Sequence, residues 1–347
     1  MKPYGLCADL HFHPWSAFAT TNSEGLNGRL MFLLDEMNRM AMEVRKAGGD
    51  TIYAAGDIFH VRGSIAPLVL NPVKDCFKSI IDSGINIVLV AGNHDAELKD
   101  VTRLSSAITA LEDIGCVVIN EPGRIGDLVL VPWLKSVEEL KKTLEDCEAD
   151  ERTDLIIHAP IDDVIPGLPS HGLDADYLDK LGFRRVFAGH YHNHKDFGNG
   201  VYSIGALAHH TWSDVGSKAG FLIVSESEVK WFKSHAPEFI EVTEGMDKET
   251  IEMLVDGNYV RAKLNTSRQS EVEEARSFLM DCGAKGVVIL AQKEESAIKR
   301  TGSAIVKAGM TLDASVGDFI KTTGYKNPAE LAVLCGDILA EARAVEA

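Results

Sequence analysis

Short apolar runs punctuate the first two thirds of the chain, at residues 5–8, 51–55, 86–91, 154–157 and 185–188. Their length and their content of β-branched and aliphatic residues predict strands. Near-continuous runs such as Ile87-Val88-Leu89-Val90 predict strands covered on both faces. Between them lie stretches of helical period. The clearest covers residues 28–47, where Leu30, Leu33, Leu34, Met37, Ala41 and Val44 share one face and Gly48-Gly49 stops the run. Residues 67–83, ending at Gly84, and 100–114 read as further helices. Alternating strands and helices of this kind predict an α/β domain.

After Gly189 the pattern changes to successive strands at residues 201–204, 220–224 and 229–233, which extend the expectation to two packed sheets flanked by helices. Pro237 marks a boundary. Beyond it, strands at 259–264 and 286–290 enclose a helix at 270–281, a small α+β module. Residues 312–344 read as two short helices split by Gly324 and Asn327-Pro328. The expected domains are therefore residues 1–235, 236–308 and 309–347.

The formal net charge of −17 changes this picture by disfavouring any broad nucleic-acid-binding surface. Residues 1–235 carry 22 Lys+Arg against 33 Asp+Glu, and the remainder carries 13 against 19, so the acidity is shared. Bound divalent cations would offset part of it locally. The six cysteines are scattered without a C-x-x-C pair, which argues against a zinc ribbon or disulfide framework. No apolar run is long enough to span a bilayer, and the first strand follows Met1-Lys2-Pro3 directly, so a cytoplasmic protein without membrane attachment is expected.

Hard-cation ligands follow each of the five early runs: Asp9-Leu10-His11, Gly56-Asp57, Gly92-Asn93-His94-Asp95, His158 and Gly189-His190-Tyr191-His192. Strand ends on one rim of a sheet deliver distant residues to one small volume. Carboxylate, amide and imidazole donors together suit a borderline-hard ion such as Mn²⁺, with Mg²⁺ the alternative. Asp57 is the natural bridge between two ions. Asp9, His11 and His192 would complete one, and Asn93, His158 and His190 the other. Two ions about 3.5–4 Å apart clamp the attacking and leaving oxygens of a phosphoryl displacement.

This ordered series resembles the motifs of the calcineurin-like metallophosphoesterases over roughly residues 5–235. The resemblance implies a two-sheet sandwich, a dinuclear Mn-type centre and phosphoester hydrolysis, with His94 assisting the leaving group and Asp95 holding its loop. Gly56-Asp57-Ile58-Phe59-His60 is similar to the SbcD-type nuclease branch, whereas protein phosphatases carry Asp at the position of His60. In that branch His60 contributes to nuclease activity. The branch further implies a DNA exonuclease or endonuclease of recombination and repair, a DNA-capping role for the small module, and a helical tail that docks on an SbcC-like coiled-coil ATPase; a homodimer is compatible with it. Two departures stand out: His13 occupies a position usually held by Gly, and Ala159 does the same after His158.

Several residues have plainer readings beside functional ones. Arg62, Arg103, Arg184 and Arg185 are candidate phosphate contacts or ordinary ion pairs. Phe12, Trp15 and Phe18 would stack on unpaired bases or pack their own loop. His171, His194, His209, His210 and His235 lie outside the motifs and are expected to be surface or hydrogen-bonded histidines, with His209-His210 able to line a cleft. Phe319, Ile320, Leu331, Leu334 and Ile338 would offer a face to a partner helix or pack at home. Two rival functions remain: a phosphodiesterase or phosphatase for a small nucleotide or phosphoprotein, and a scaffold descended from an enzyme. Intact ligands at every element weigh against the second.

Overall fold

The computed structural model describes residues 1–97, 101–243, 245–266, 268–291, 312–322 and 326–345. Met1–Leu264 and Arg268–Ala291 together form one compact unit, and the tail helices belong to a second.

Within the first unit two six-stranded mixed sheets face each other. Sheet one contains β1 (Tyr4–Cys7), β2 (Thr51–Ala55), β3 (Asn86–Val90) and β4 (Val117–Ile119), all parallel. Sheet two adds β5 (Gly123–Ile125), β6 (Leu128–Val131), β7 (Asp154–His158), β8 (Arg185–Gly189), β9 (Lys195–Asp196) and β10 (Val201–Ser203), of which β6, β7, β8 and β10 are parallel. Returning to sheet one, β11 (Gly220–Val224) pairs antiparallel with β1, and β12 (Val229–Lys233) continues that edge.

Alternation along each strand explains the two layers of apolar packing. Tyr4, Leu6, Tyr53, Ala55, Val88 and Val90 face sheet two, where Leu128, Leu130, Ile156 and Phe187 meet them. The intervening Cys7, Ile52, Ala54, Ile87 and Leu89 face outward into a second core with α1 (Gly28–Lys46) and α2 (Pro67–Asp82). Sheet two buries its outer face under α3 (Val137–Glu145) and α4 (Ala175–Asp179). Helix α1 starts where Asn27 Oδ1 accepts from the backbone N–H groups of Arg29 (2.9 Å) and Leu30 (3.1 Å). Its apolar stripe is the one that the sequence spacing predicts.

Residues 101–114 depart from the helix expected over 100–114, of which Asp100 lies outside the described residues. A 3₁₀ turn covers only Ala107–Ile114. Thr102 and Ser105 bond each other's backbone N–H groups (3.0 and 3.2 Å), and the Ala107 N–H donates to the Asp95 carbonyl (2.7 Å). Such local side-chain bonds compete with the helical ladder and here tie the segment to the Gly-Asn-His-Asp loop.

The small module is a parallel three-stranded sheet of β13 (Phe239–Val242), β14 (Tyr259–Leu264) and β15 (Gly286–Ala291), crossed over by α5 (Lys248–Val255) and α6 (Gln269–Asp281). The boundary expected at residues 308 and 309 lies outside the described residues. In the second unit, α7 (Leu312–Thr322) and α8 (Pro328–Val345) form the expected helix pair. Phe319, Leu334 and Ile338 are exposed there, while Ile320 is buried. Among the described residues no helix is long and apolar enough to cross a membrane.

Candidate metal centre

Every segment of the motif series leaves the C-terminal end of a parallel strand: β1 and β2 for Asp9, His11 and Asp57, β3 for Asn93 and His94, β7 for His158, β8 for His190 and His192. Both sheets therefore feed one rim. The strands end in strained backbone. Six non-glycine residues among those described have positive φ, and four of them are Asp9 (51°), His11 (43°), Asp57 (54°) and His190 (110°). Each such residue costs about 1–3 kcal/mol, and this strain is typical of functional sites. Backbone bonds hold them in place, from Asp9 N to Gly56 O (3.0 Å) and from His11 N to Asp57 O (2.9 Å).

Glycine at 56, 92 and 189 is required by close approach. A Cβ at Gly56 would collide with the His158 ring, one at Gly92 with the Asp57 carboxylate, and one at Gly189 with the Ala55 carbonyl.

The donors gather into two groups. Ligand atoms of Asp9, His11 and His192 lie within 4.8 Å of one another, as do those of Asp57, His158 and His190. Asp57 stands between them: Oδ1 lies 3.4 Å from His158 Nε2, and Oδ2 lies 3.6 Å from His11 Nε2. Asn93 Oδ1 joins the second group, 3.2 Å from His158 Nε2 and 3.1 Å from His190 Nδ1. His158 Nδ1 donates to the Ala55 carbonyl at 2.7 Å, so its Nε2 is the nitrogen that faces the site.

Two observations test whether cations fit. Asp9 is fully buried, yet Oδ1 has no hydrogen-bond partner; only Oδ2 is satisfied, by the His190 N–H at 2.9 Å. An orphaned carboxylate oxygen is expensive unless a cation completes it. The electrostatics agree. Burial pushes the Asp9 carboxyl up and holds His11 well below its usual range and His190 down to about 3. Burial also opposes charge on His158, but the neighbouring Asp57 carboxylate outweighs it and lifts that imidazole to about 9. Buried carboxylates crowded against several imidazoles make a donor set suited to divalent ions.

His94 sits beside the groups, its ring 4.8 Å from that of His11, with Nδ1 bonded to the His60 carbonyl at 2.7 Å. Ring nitrogens of His11, His60 and His94, one from each, also lie within 4.8 Å of one another, a third cluster beside the two groups. The His60 ring meets His11 through Nδ1 atoms 3.4 Å apart, and burial with the nearby His13 lowers it to about 4. Asp95 is buried and accepts from the N–H groups of Ile58, Phe59 and Gly92 (2.8–3.0 Å), which holds the Gly-Asn-His-Asp loop against Asp57. His13 packs on His60 at 4.9 Å.

Other candidates find different work. Arg184 and Arg185 are not phosphate contacts: both clasp Asp154 at the far end of the sandwich, because that buried carboxylate needs their charge. Arg103 pairs with Glu112, and Arg62 is exposed. Phe12 is buried against Phe77, Phe18 stacks on Tyr259 at 5.0 Å, and Trp15 stacks on His210 at 5.5 Å, so these aromatics pack their own surroundings. His209 and His210 are both buried, and His210 Nε2 bonds the Asp9 carbonyl at 2.9 Å.

Two residues escape the sequence reading. Half-buried Trp133 stacks on His190 (5.2 Å), and Asp214 bonds His192 Nδ1 at 2.7 Å. Neither carries a ligand spacing, and no pattern along the chain marks either one.

A model of the calcineurin-like phosphoesterases matches residues 2–194. Over 172 residues the chain is 28% identical to exonuclease subunit 1 of Enterobacteria phage T4, covering 47% of this chain and 50% of that protein; it thus spans about half the length of that curated relative. Among solved structures, nuclease MPE of Pseudomonas putida is 17% identical with a TM-score of 0.32, over 66% of this chain and 87% of its own. A dimetal phosphatase from Danio rerio is 12% identical with a TM-score of 0.31, over 64% and 91%. With the family model spanning more than half of its length, and the motif residues gathered on one rim of a two-sheet sandwich, the chain belongs to the calcineurin-like phosphoesterase family.

Proposed function

We propose that this chain is a metal-dependent phosphodiesterase acting on DNA, the exonuclease or endonuclease subunit of a recombination and repair complex. The observation that carries the proposal is the convergence of Asp9, His11, Asp57, Asn93, His158, His190 and His192 around the unpartnered Asp9 Oδ1. A pair of divalent ions held there would polarise the phosphoryl group and make water nucleophilic near neutral pH. Mn²⁺ suits the mixed nitrogen and oxygen donors better than Mg²⁺, which prefers oxygen alone.

The chain's own residues supply the rest. With Nδ1 committed to the His60 carbonyl, His94 presents Nε2 to the leaving oxygen and donates a proton or hydrogen bond as charge develops. His60 supports this with its carbonyl, and its ring braces His11. DNA is favoured as substrate by His60 at the nuclease-type position and by the name of the 28%-identical phage relative. The charge of −17 is met by a partner: an SbcC-like coiled-coil ATPase, docked on the helical tail, brings much of the basic surface that grips DNA. The complex acts in the cytoplasm of a cell.

The same charge favours a second reading, a small-nucleotide phosphodiesterase or a phosphatase. Side-by-side turnover of linear duplex DNA, a cyclic nucleotide and a phosphopeptide with Mn²⁺ separates the two. Degradation of DNA is expected, and turnover of the small substrates alone would overturn the nuclease reading.

A further inference from the structure

The segment between Ala208 and Val215 touches the rim and the small module at once. Asp214 is 3% exposed and uses both oxygens. Oδ1 accepts from His192 Nδ1 at 2.7 Å; Oδ2 accepts from the backbone N–H groups of His210 (2.7 Å) and Thr211 (2.8 Å). Four residues before Asp214, the His210 ring bonds the Asp9 carbonyl at 2.9 Å and packs edge-on against His11 at 5.2 Å. On its other side the loop is gripped from several directions. The Phe239 N–H donates to His209 Nδ1 (3.1 Å), the Trp212 ring meets Phe239 at 4.8 Å, and the Arg261 guanidinium lies 4.6 Å over Trp212. Arg29, wedged against Phe239 and Tyr259, donates to the carbonyls of His209 (3.3 Å) and His210 (2.6 Å).

We propose that Asp214 is a positioning residue that fixes the tautomer of His192, and that the three-stranded module is the clamp that holds Asp214 in place. This rests on the dinuclear reading above. A histidine that ligates through one nitrogen needs its proton on the other, and an outer carboxylate bonded to that proton sets both tautomer and ring orientation. Asp214 accepts a hydrogen bond from Nδ1–H, which keeps the proton on that nitrogen and leaves Nε2 for the Asp9–His11–His192 group. Among the described residues no corresponding carboxylate serves the second group, where the Ala55 carbonyl holds His158 from within the sandwich core. The first group is accordingly the one whose cation affinity depends on the module.

Asp214→Asn discriminates sharply. Two backbone N–H groups require an acceptor at the Oδ2 position, so the new amide must keep its oxygen there and turn its NH₂ toward His192. Nδ1 then has to accept, and the proton moves to Nε2, where it blocks ligation. The test combines Mn²⁺ calorimetry with nitrogen-detected NMR of the histidine rings in the metal-free protein. Wild type is expected to take up two Mn²⁺ equivalents and to carry a proton on His192 Nδ1. Asp214→Asn is expected to lack that proton and to bind one equivalent about 10–100-fold more weakly, with the other unchanged. Trp212→Ala, which loosens the clamp and leaves Asp214 in place, is expected to weaken the same equivalent by a smaller factor.

An unprotonated His192 Nδ1 in wild type overturns the proposal without any variant. Two unaltered equivalents in Asp214→Asn, or an equal loss at both, also overturn it. Unchanged binding in Trp212→Ala overturns the clamp alone. A wild-type protein that binds no Mn²⁺ would instead overturn the dinuclear reading itself.

Discussion

The two ends of the sandwich treat buried carboxylates in opposite ways. At the end where the parallel strands begin, Asp154 is fully buried and wholly satisfied. Arg184 and Arg185 each reach both of its oxygens (2.7–3.0 Å), and Tyr4 donates its hydroxyl at 2.9 Å. Because Tyr4 comes from sheet one and Arg185 also donates to the Ser225 carbonyl at 2.6 Å, this cluster ties the sheets together. At the end where the strands stop, Asp9 and Asp57 are equally buried, but their neighbours are mostly histidines, and one oxygen of Asp9 has no partner. One end has its countercharges built into the chain; the other leaves them to be brought from outside. The strain at positive φ gathers at the second end as well, so stability and function are spatially separated in one β-sandwich.

The largest effect that would sharpen this comparison is on catalysis. His94→Ala is expected to lower turnover of linear DNA by about 10²–10⁴-fold, the contribution typical of a general acid, while Mn²⁺ uptake stays at two equivalents. Retained cleavage would remove His94 from the mechanism.

Next comes the satisfied end. Asp154→Asn leaves the buried Arg185 and the half-buried Arg184 without their charge partner and is expected to cost about 3–5 kcal/mol in denaturant unfolding, with activity per folded molecule unchanged. The pH dependence follows. Burial opposes ionisation of Asp154, but its bonds to Arg184 and Arg185 prevail and hold it below the usual carboxylate range. Its stabilisation is thus complete above about pH 3.9, the unfolded value, and is lost as pH falls through the lower folded value. The gap in stability between wild type and Asp154→Asn should be constant above that pH and close below it; a gap that widened in acid would contradict the pairing.

Asp9→Asn should do the reverse. Burial raises the folded pKa of Asp9, so in metal-free protein its ionisation removes stability as pH rises above about 3.9. The amide variant is expected to bind cations poorly and yet, free of metal at pH 7, to unfold at a temperature no lower than wild type. A clear drop in its melting temperature would show that the rim is as internally satisfied as the opposite end.

The smallest effect provides a baseline away from both ends. Asn27→Ala removes the cap of α1 and is expected to cost about 1 kcal/mol, measurable by urea unfolding, with no change in metal uptake.

Much of the rim was legible in the sequence because parallel strands buried on both faces read as unbroken apolar runs, and each ligand follows such a run directly. Gly56 and Gly92 mark where the backbone must pass close to His158 and Asp57, and Gly189 where it passes close to the Ala55 carbonyl. The 100–114 segment misled because its apolar spacing suits a helix, while the bonds that unwind it come from Thr102, Ser105 and the distant Asp95 carbonyl. The Arg184-Arg185 pair could not be assigned without Asp154, which lies some thirty residues away and meets it only through β7–β8 pairing. Asp214 and Trp133 were invisible for a related reason: they act on histidines of other segments, and no spacing along the chain records that contact.

The most direct measurement is anomalous diffraction at the manganese edge from crystals grown with Mn²⁺. Two peaks about 3.5–4 Å apart, one on either side of the Asp57 carboxylate, are expected. A single peak, or none at that carboxylate, would contradict the account.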